Sequence, residues 1–66
     1  MGLIELMESD SRWQLTVAFD VDSRNWLTRL HKYDDIASPV YIGVADSMLG
    51  AIMELDRNIL EAQKEA

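Results

Sequence analysis

The sequence predicts an α+β fold: a three-stranded antiparallel sheet with one long C-terminal helix packed on one face, and a short N-terminal helix or arm ahead of it. Three observations carry this. Arg12 to Val21 alternates with period 2, Trp13, Leu15, Val17, Phe19 and Val21 pointing one way and Gln14, Thr16, Ala18 and Asp20 the other. Asp22 to Asn25 is a run of turn formers. At Asp46-Ser47 the period-2 residues Val40, Ile42 and Val44 give way to a helical stripe of Met48, Ile52, Leu55, Ile59 and Ala62. The 66 residues read as a single domain, with the helix or arm over 1–11, the sheet over 12–45 and the helix over 46–65.

In chain order, Leu3, Ile4, Leu6 and Met7 have the spacing of a turn and a half of helix, and suit an extended arm equally. Turn formers over Glu8 to Ser11 separate them from the first strand. Two hairpin lengths set opposite faces for the second strand. With Asp22 opposite Asn25, Val21 meets Trp26, Phe19 meets Thr28 and Val17 meets Leu30. A three-residue loop would instead turn Leu27, Arg29, His31 and Tyr33 inward. The first is preferred because the second buries Arg29 and His31 without evident partners. Asp34 to Pro39 is a loop. Val40 to Ala45 is then a third strand or, with Pro39 at the first helical position, the opening of a longer helix. The strand reading is preferred: Val40, Tyr41, Ile42 and Val44 are strand formers, Gly43 weakens a helix by about 1 kcal/mol, and Asp46-Ser47 suits a cap better than a helix interior. Arg57 and Glu61 stand four apart on the helix's solvent face.

A chain this short buries only about 60% of its unfolded surface, so its core is small. With no cysteine, disulfides and thiolate metal sites are excluded, and oligomerisation, most simply a dimer, is the expected remedy. No apolar run suits a membrane span, and the first ten residues lack the pattern of a signal peptide, so a cytoplasmic location is the default expectation. Twelve acidic against six basic residues give a formal charge of −6. That charge opposes direct binding to a phosphate backbone and suits solubility, a basic partner, or imitation of nucleic acid.

The order of elements from Arg12 to Leu60, with the acidic-hydroxyl pair Asp46-Ser47 leading into a helix and Ala51 four residues after the hydroxyl, resembles the small ββ-β-α module of HicB-type antitoxins. The junction here runs Val44, Ala45, Asp46, Ser47, Met48, Leu49, Gly50, Ala51. It departs from the family's Gly-Asp-Thr-Leu-Glu-Glu-Ala pattern at Ala45, Leu49 and Gly50, and the Pro-Asp-Leu-Pro-Gly-type segment after the second strand is missing. The resemblance implies a non-catalytic domain that binds a protein partner.

Candidate chemistry is sparse. His31 is the only histidine and has no cysteine to activate, so it reads as a strand histidine rather than a general base. Asp20 and Asp22 sit like the start of a calcium loop, but Arg24 takes the third ligand position and the glycine and final glutamate of that loop are missing. Asp34 and Asp35 read as solvated loop acids, and Gly2, Gly43 and Gly50 are too scattered for a phosphate loop. No catalytic residue, metal or cofactor is therefore expected.

What remains is a surface. One helix covers one face of the sheet, assigned as Trp13, Leu15, Val17, Phe19, Val21, Trp26, Leu30, Val40, Ile42 and Val44. The other face then shows Ala18, Leu27, His31, Tyr33 and Tyr41, and Leu27, His31, Tyr33 and Tyr41 are the expected partner-binding residues. Either the N-terminal segment folds back over this face through Leu3, Ile4, Leu6 and Met7, or another molecule does. The expected function is a small acidic protein-interaction module of the inhibitor, antitoxin or adaptor class. The alternatives are an acidic nucleic-acid mimic that blocks a basic cleft and a structural subunit of a larger assembly.

Overall fold

The alternation of Trp13 to Asp20 produces the first strand of a computed structural model that describes residues 1–64. The elements in chain order are α1 (Leu3–Ser9), β1 (Trp13–Asp20), β2 (Asn25–Lys32), β3 (Tyr41–Ala45) and α2 (Met48–Lys64). The sheet is antiparallel with order β1-β2-β3. In the hairpin Asp20 lies opposite Asn25, Phe19 opposite Trp26, Val17 opposite Thr28 and Leu15 opposite Leu30. The turn is residues 21–24. The Asp20 carboxylate holds it by accepting from the Asp22 amide at 3.1 Å and the Ser23 hydroxyl at 3.0 Å, and Arg24 takes a left-handed φ of 58°. This pairing differs by two residues from the register the sequence favours. A shift of two keeps every side chain on its face, so Trp26 and Leu30 share a side with Phe19 as expected, while Val21 moves into the turn and out to solvent.

The third strand forms as expected, but with its faces exchanged. Thr28 lies opposite Gly43 and Leu30 opposite Tyr41, which puts Tyr41, Gly43 and Ala45 toward α2 and Ile42 and Val44 on the far side. The reason is the approach of the helix. A Cβ on Gly43 would sit 2.4 Å from both the Ala51 carbonyl oxygen and the Leu55 amide nitrogen, so only a glycine lets α2 lie this close. The buried Thr28 hydroxyl reaches the same spot, sharing its one proton between the carbonyls of Gly43 and Ala51, each at 3.0 Å. Nearer the helix end, the Asn58 amide donates to the Ile42 carbonyl at 2.7 Å.

Ser47 caps α2, its hydroxyl accepting from the Gly50 amide at 3.0 Å while its carbonyl accepts from the Ala51 amide. The helix therefore starts at Met48 rather than Asp46, and Asp46 stays exposed before it. Its expected end at Glu65 lies outside the described residues. Ala51, Leu55 and Ile59 form the buried stripe, and Arg57 pairs with Glu54 rather than Glu61. The N-terminal segment is helical and packs beside α2 on the same side of the sheet, not over the opposite face. Its first amide, Leu3, is capped across the chain by Asp56 at 2.7 Å, and Glu5 accepts from the Gly2 amide at 3.0 Å. Leu3 thereby joins Leu30, Leu55 and Ile59 in the core, with Leu6, Met7, Trp13, Leu15, Tyr41 and Ile52 around it. Each fully buried aliphatic of this cluster contributes about 1.5–3 kcal/mol.

A polar clasp closes the α1–β1 connection. Asp10 accepts from the Arg12 amide and from the Arg12 guanidinium, at 2.7 Å to Nη2, and lies 3.4 Å from Lys32 Nζ. These bonds, led by that of the Arg12 side chain, hold the Asp10 carboxyl well below the usual carboxylate range and push the Arg12 guanidinium up. Lys32 also lies over the Trp13 ring, 5.1 Å from its centre, fastening β2 to the same corner.

Gly43→Ala is expected to destabilise the fold by about 1–3 kcal/mol or more, because the atoms it strikes are backbone. Ser47→Ala costs about 1 kcal/mol and Asp46→Ala less than about 0.5 kcal/mol, the reverse of what a cap at Asp46 requires; denaturant melts of the three variants separate them. Since folding lowers the Asp10 pKa, its contribution is full above the unfolded value of about 4 and is lost as pH falls toward the folded value. Thermal melts of the parent and Asp10→Asn should differ at neutral pH and converge in acid.

Candidate interaction face

With both helices on one side, the opposite side of the sheet has no cover among the described residues. Strand alternation fills it from all three strands: Gln14, Thr16 and Ala18 from β1, Leu27, Arg29 and His31 from β2, and Ile42 and Val44 from β3. Leu27 lies opposite both Ala18 and Val44, and Arg29 opposite both Thr16 and Ile42. Ile42 is 51% exposed and Val44 43% exposed, large values for β-branched side chains in a strand.

The face is not flat. Thr16, Ala18, Leu27 and Arg29 line one depression of about 240 Å³. Arg29 also lines a second, of about 290 Å³, with His31, Tyr33, Ile36 and Val40 on its walls. Arg29 thus stands on the ridge between two hollows. It makes no ion pair among the described residues, whereas Arg12, Lys32 and Arg57 each have a carboxylate partner. The acids of the loop beside the face are engaged locally: Asp35 accepts from the Ala37 amide at 3.0 Å, and Asp34 lies 3.8 Å from the Arg12 guanidinium.

The sequence-predicted residues divide. Leu27 and His31 lie on this face, and Tyr33, 62% exposed, stands just past the end of β2 on the rim of the second hollow. Tyr41 does not belong with them. It faces the helix side, half-buried against the Trp13 ring at 6.1 Å between centres, as part of the core surround. Ile42 and Val44 take its place, and sequence reasoning missed them because it gave β3 the opposite parity; Arg29 shares the parity of Leu27 and His31 on β2 and was passed over because only apolar and aromatic residues were sought there. Gly43 was the signal: a glycine in mid-strand marks close backbone approach, and so identifies the covered face.

A separate groove of about 380 Å³ runs between the helices on the other side, lined by Leu3, Ile4, Ile52, Met53 and Leu60 with Asp56 and Arg57 at its margin. Among the described residues no helix is long and apolar enough to cross a membrane. No protein-family model, curated protein or solved structure matches the chain.

Proposed function

We propose that this chain is a small acidic, non-catalytic protein-interaction module, of the inhibitor, antitoxin or adaptor class, that engages its partner through the open face of the sheet. The observation that carries this reading is an uncovered sheet face on which Leu27, Ile42 and Val44 stand exposed around one unpaired cation, Arg29, with Gln14, Thr16 and His31 at its other end. Contiguous apolar surface bordered by polar groups is the usual character of a protein contact, and arginine is among the residues that anchor one. The two hollows beside Arg29 accept side chains, and a carboxylate from the partner would meet the guanidinium between them. Leu27, His31 and Tyr33 keep the role the sequence assigns them, while Tyr41 is a core residue.

The antitoxin member of this class rests on the sequence resemblance to HicB-type antitoxins, whose strand-strand-strand-helix order this chain shares. Against the nucleic-acid mimic stands the disposition of charge. Asp20, Asp34 and Asp35 are occupied in turns and a local ion pair, and the open face centres on a positive charge.

The test is capture of the partner from the native host, followed by affinity measurements on variants of the face. Leu27→Asp and Ile42→Asp should each weaken binding by on the order of 2 kcal/mol without altering the circular dichroism spectrum. Tyr41→Ala should instead lower the melting temperature. Binding that survives the face variants but is lost when Asp34 and Asp35 are neutralised would support the mimic.

A further inference from the structure

We infer that two copies of the chain pair through the outer edges of β1, antiparallel about a two-fold axis at Thr16, to make one continuous six-stranded sheet. The sheet has two edges, and they are unequal. β3 is five residues long, follows Pro39 closely, and has its Ile42 carbonyl occupied by Asn58. β1 is eight residues long and contains neither proline nor lysine, and its ladder with β2 has no bulge. Apart from the charge of Asp20 at its end and the Trp13 amide, which donates to the Asp10 carbonyl at 3.3 Å, it lacks the devices that keep an edge from pairing. It is also under-covered on the helix side: α2 packs over β3 and β2, leaving Val17 38% and Phe19 47% exposed.

Symmetry and charge then select the occupant and its register. When two identical strands pair antiparallel about a two-fold axis, some residue must face its own copy, so the only freedom is which one. With Leu15 on the axis, Asp10 falls opposite Asp20 of the second copy, like charge against like. With Val17 on the axis, Asp20 meets Gln14 and Trp13 meets Val21, which belongs to the turn. With Thr16 on the axis, Arg12 falls opposite Asp20 of the second copy at both ends of the ladder. Trp13 then meets Phe19, Leu15 meets Val17, and Thr16 meets Thr16. Each hetero-pair occurs twice, and the apolar ones lie together on the helix side, covering the surface that α2 leaves open. The Arg12 guanidinium holds Asp10 through Nε and Nη2 and lies 3.8 Å from Asp34 through Nη1, which keeps donor capacity for Asp20 of the second copy, whose carboxylate oxygens each accept one bond in its turn and can accept another. This contact is independent of the partner-binding reading, since it uses the edge of the sheet and not its face.

Sedimentation of the unaltered chain, together with cysteine cross-linking, tests the association and its register. Thr16 is exposed, and directly opposed Cβ atoms in a ladder are about 5 Å apart. Thr16→Cys alone should therefore give a covalent dimer with a short thiol cross-linker. Ala18 opposes Gln14 in this register, and two Ala18 copies are about 14 Å apart along the ladder. Ala18→Cys and Gln14→Cys should each remain single alone and cross-link when mixed. A monomer at high micromolar concentration, no product from Thr16→Cys, or Ala18→Cys linking to itself as readily as Thr16→Cys would overturn the inference.

Discussion

A Cβ at Gly43 would collide with the carbonyl of Ala51 and the amide of Leu55, so the missing side chain lets α2 rest on the backbone of β3 instead of on a layer of side chains. Thr28 secures that contact from the neighbouring strand, its hydroxyl spanning the carbonyls of Gly43 and Ala51. Depth and lateral position of the helix are set together, because the collision limits one and the hydrogen bonds limit the other. With α2 fixed over β3 and β2, Leu55 and Ile59 meet Leu30, while the far end of β1 lies beyond the helix's reach. α1 fills the gap only near Trp13 and Leu15. The bare edge and the bare face are both consequences of where one helix is obliged to sit.

The class of fold and the order and kind of its long elements were legible because each rests on a periodic signal. Trp13 to Asp20 alternates, the stripe through Leu55 and Ile59 has helical spacing, and the change of period falls beside the capping Ser47. The hairpin was harder to place. Its register depends on how Asp20 wraps the turn through Asp22 and Ser23, a side-chain choice that composition leaves open, and an error of two residues changes no face. The parity of β3 was the consequential miss. Val40, Ile42 and Val44 look like a core stripe by hydrophobicity alone, yet the helix needed a smooth surface more than an oily one, and Gly43 with Ala45 supplied it. Of the candidate site, Leu27, His31 and Tyr33 were recoverable from β2 and its end, whereas Tyr41 followed the wrong parity of β3 and Ile42 and Val44 were hidden by it.

Charge is distributed so that the acidic excess does not fall on the open face. Asp10 and Asp56 hold the ends of the N-terminal helix segment in place, Asp20 and Asp35 shape turns, and Glu54 neutralises Arg57 on the helix surface. Arg29 is left as the charge at the centre of the open sheet face, beside exposed Leu27, Ile42 and Val44. Two such faces packed against each other would bring their arginines together, so this face disfavours a copy of itself and favours a surface of opposite sign. A polar edge of backbone groups imposes no such restriction.

The docking of α1 has an entropic cost. A helix of seven residues does not persist alone in water, and this one is held by contacts that span nearly the whole chain: Leu3 to Asp56, and the Met1 amino group and carbonyl to the Gln63 amide. Closing so long a loop costs entropy that only the assembled hairpin, β3 and α2 offset, although α1 also touches β1, its neighbour in the chain. Its departure uncovers Leu30, Leu55 and Ile59 while the Gly43–Thr28–Ala51 contact stays intact. Undocking of α1 would also remove one wall of the groove between Ile4 and Met53, which both helices form.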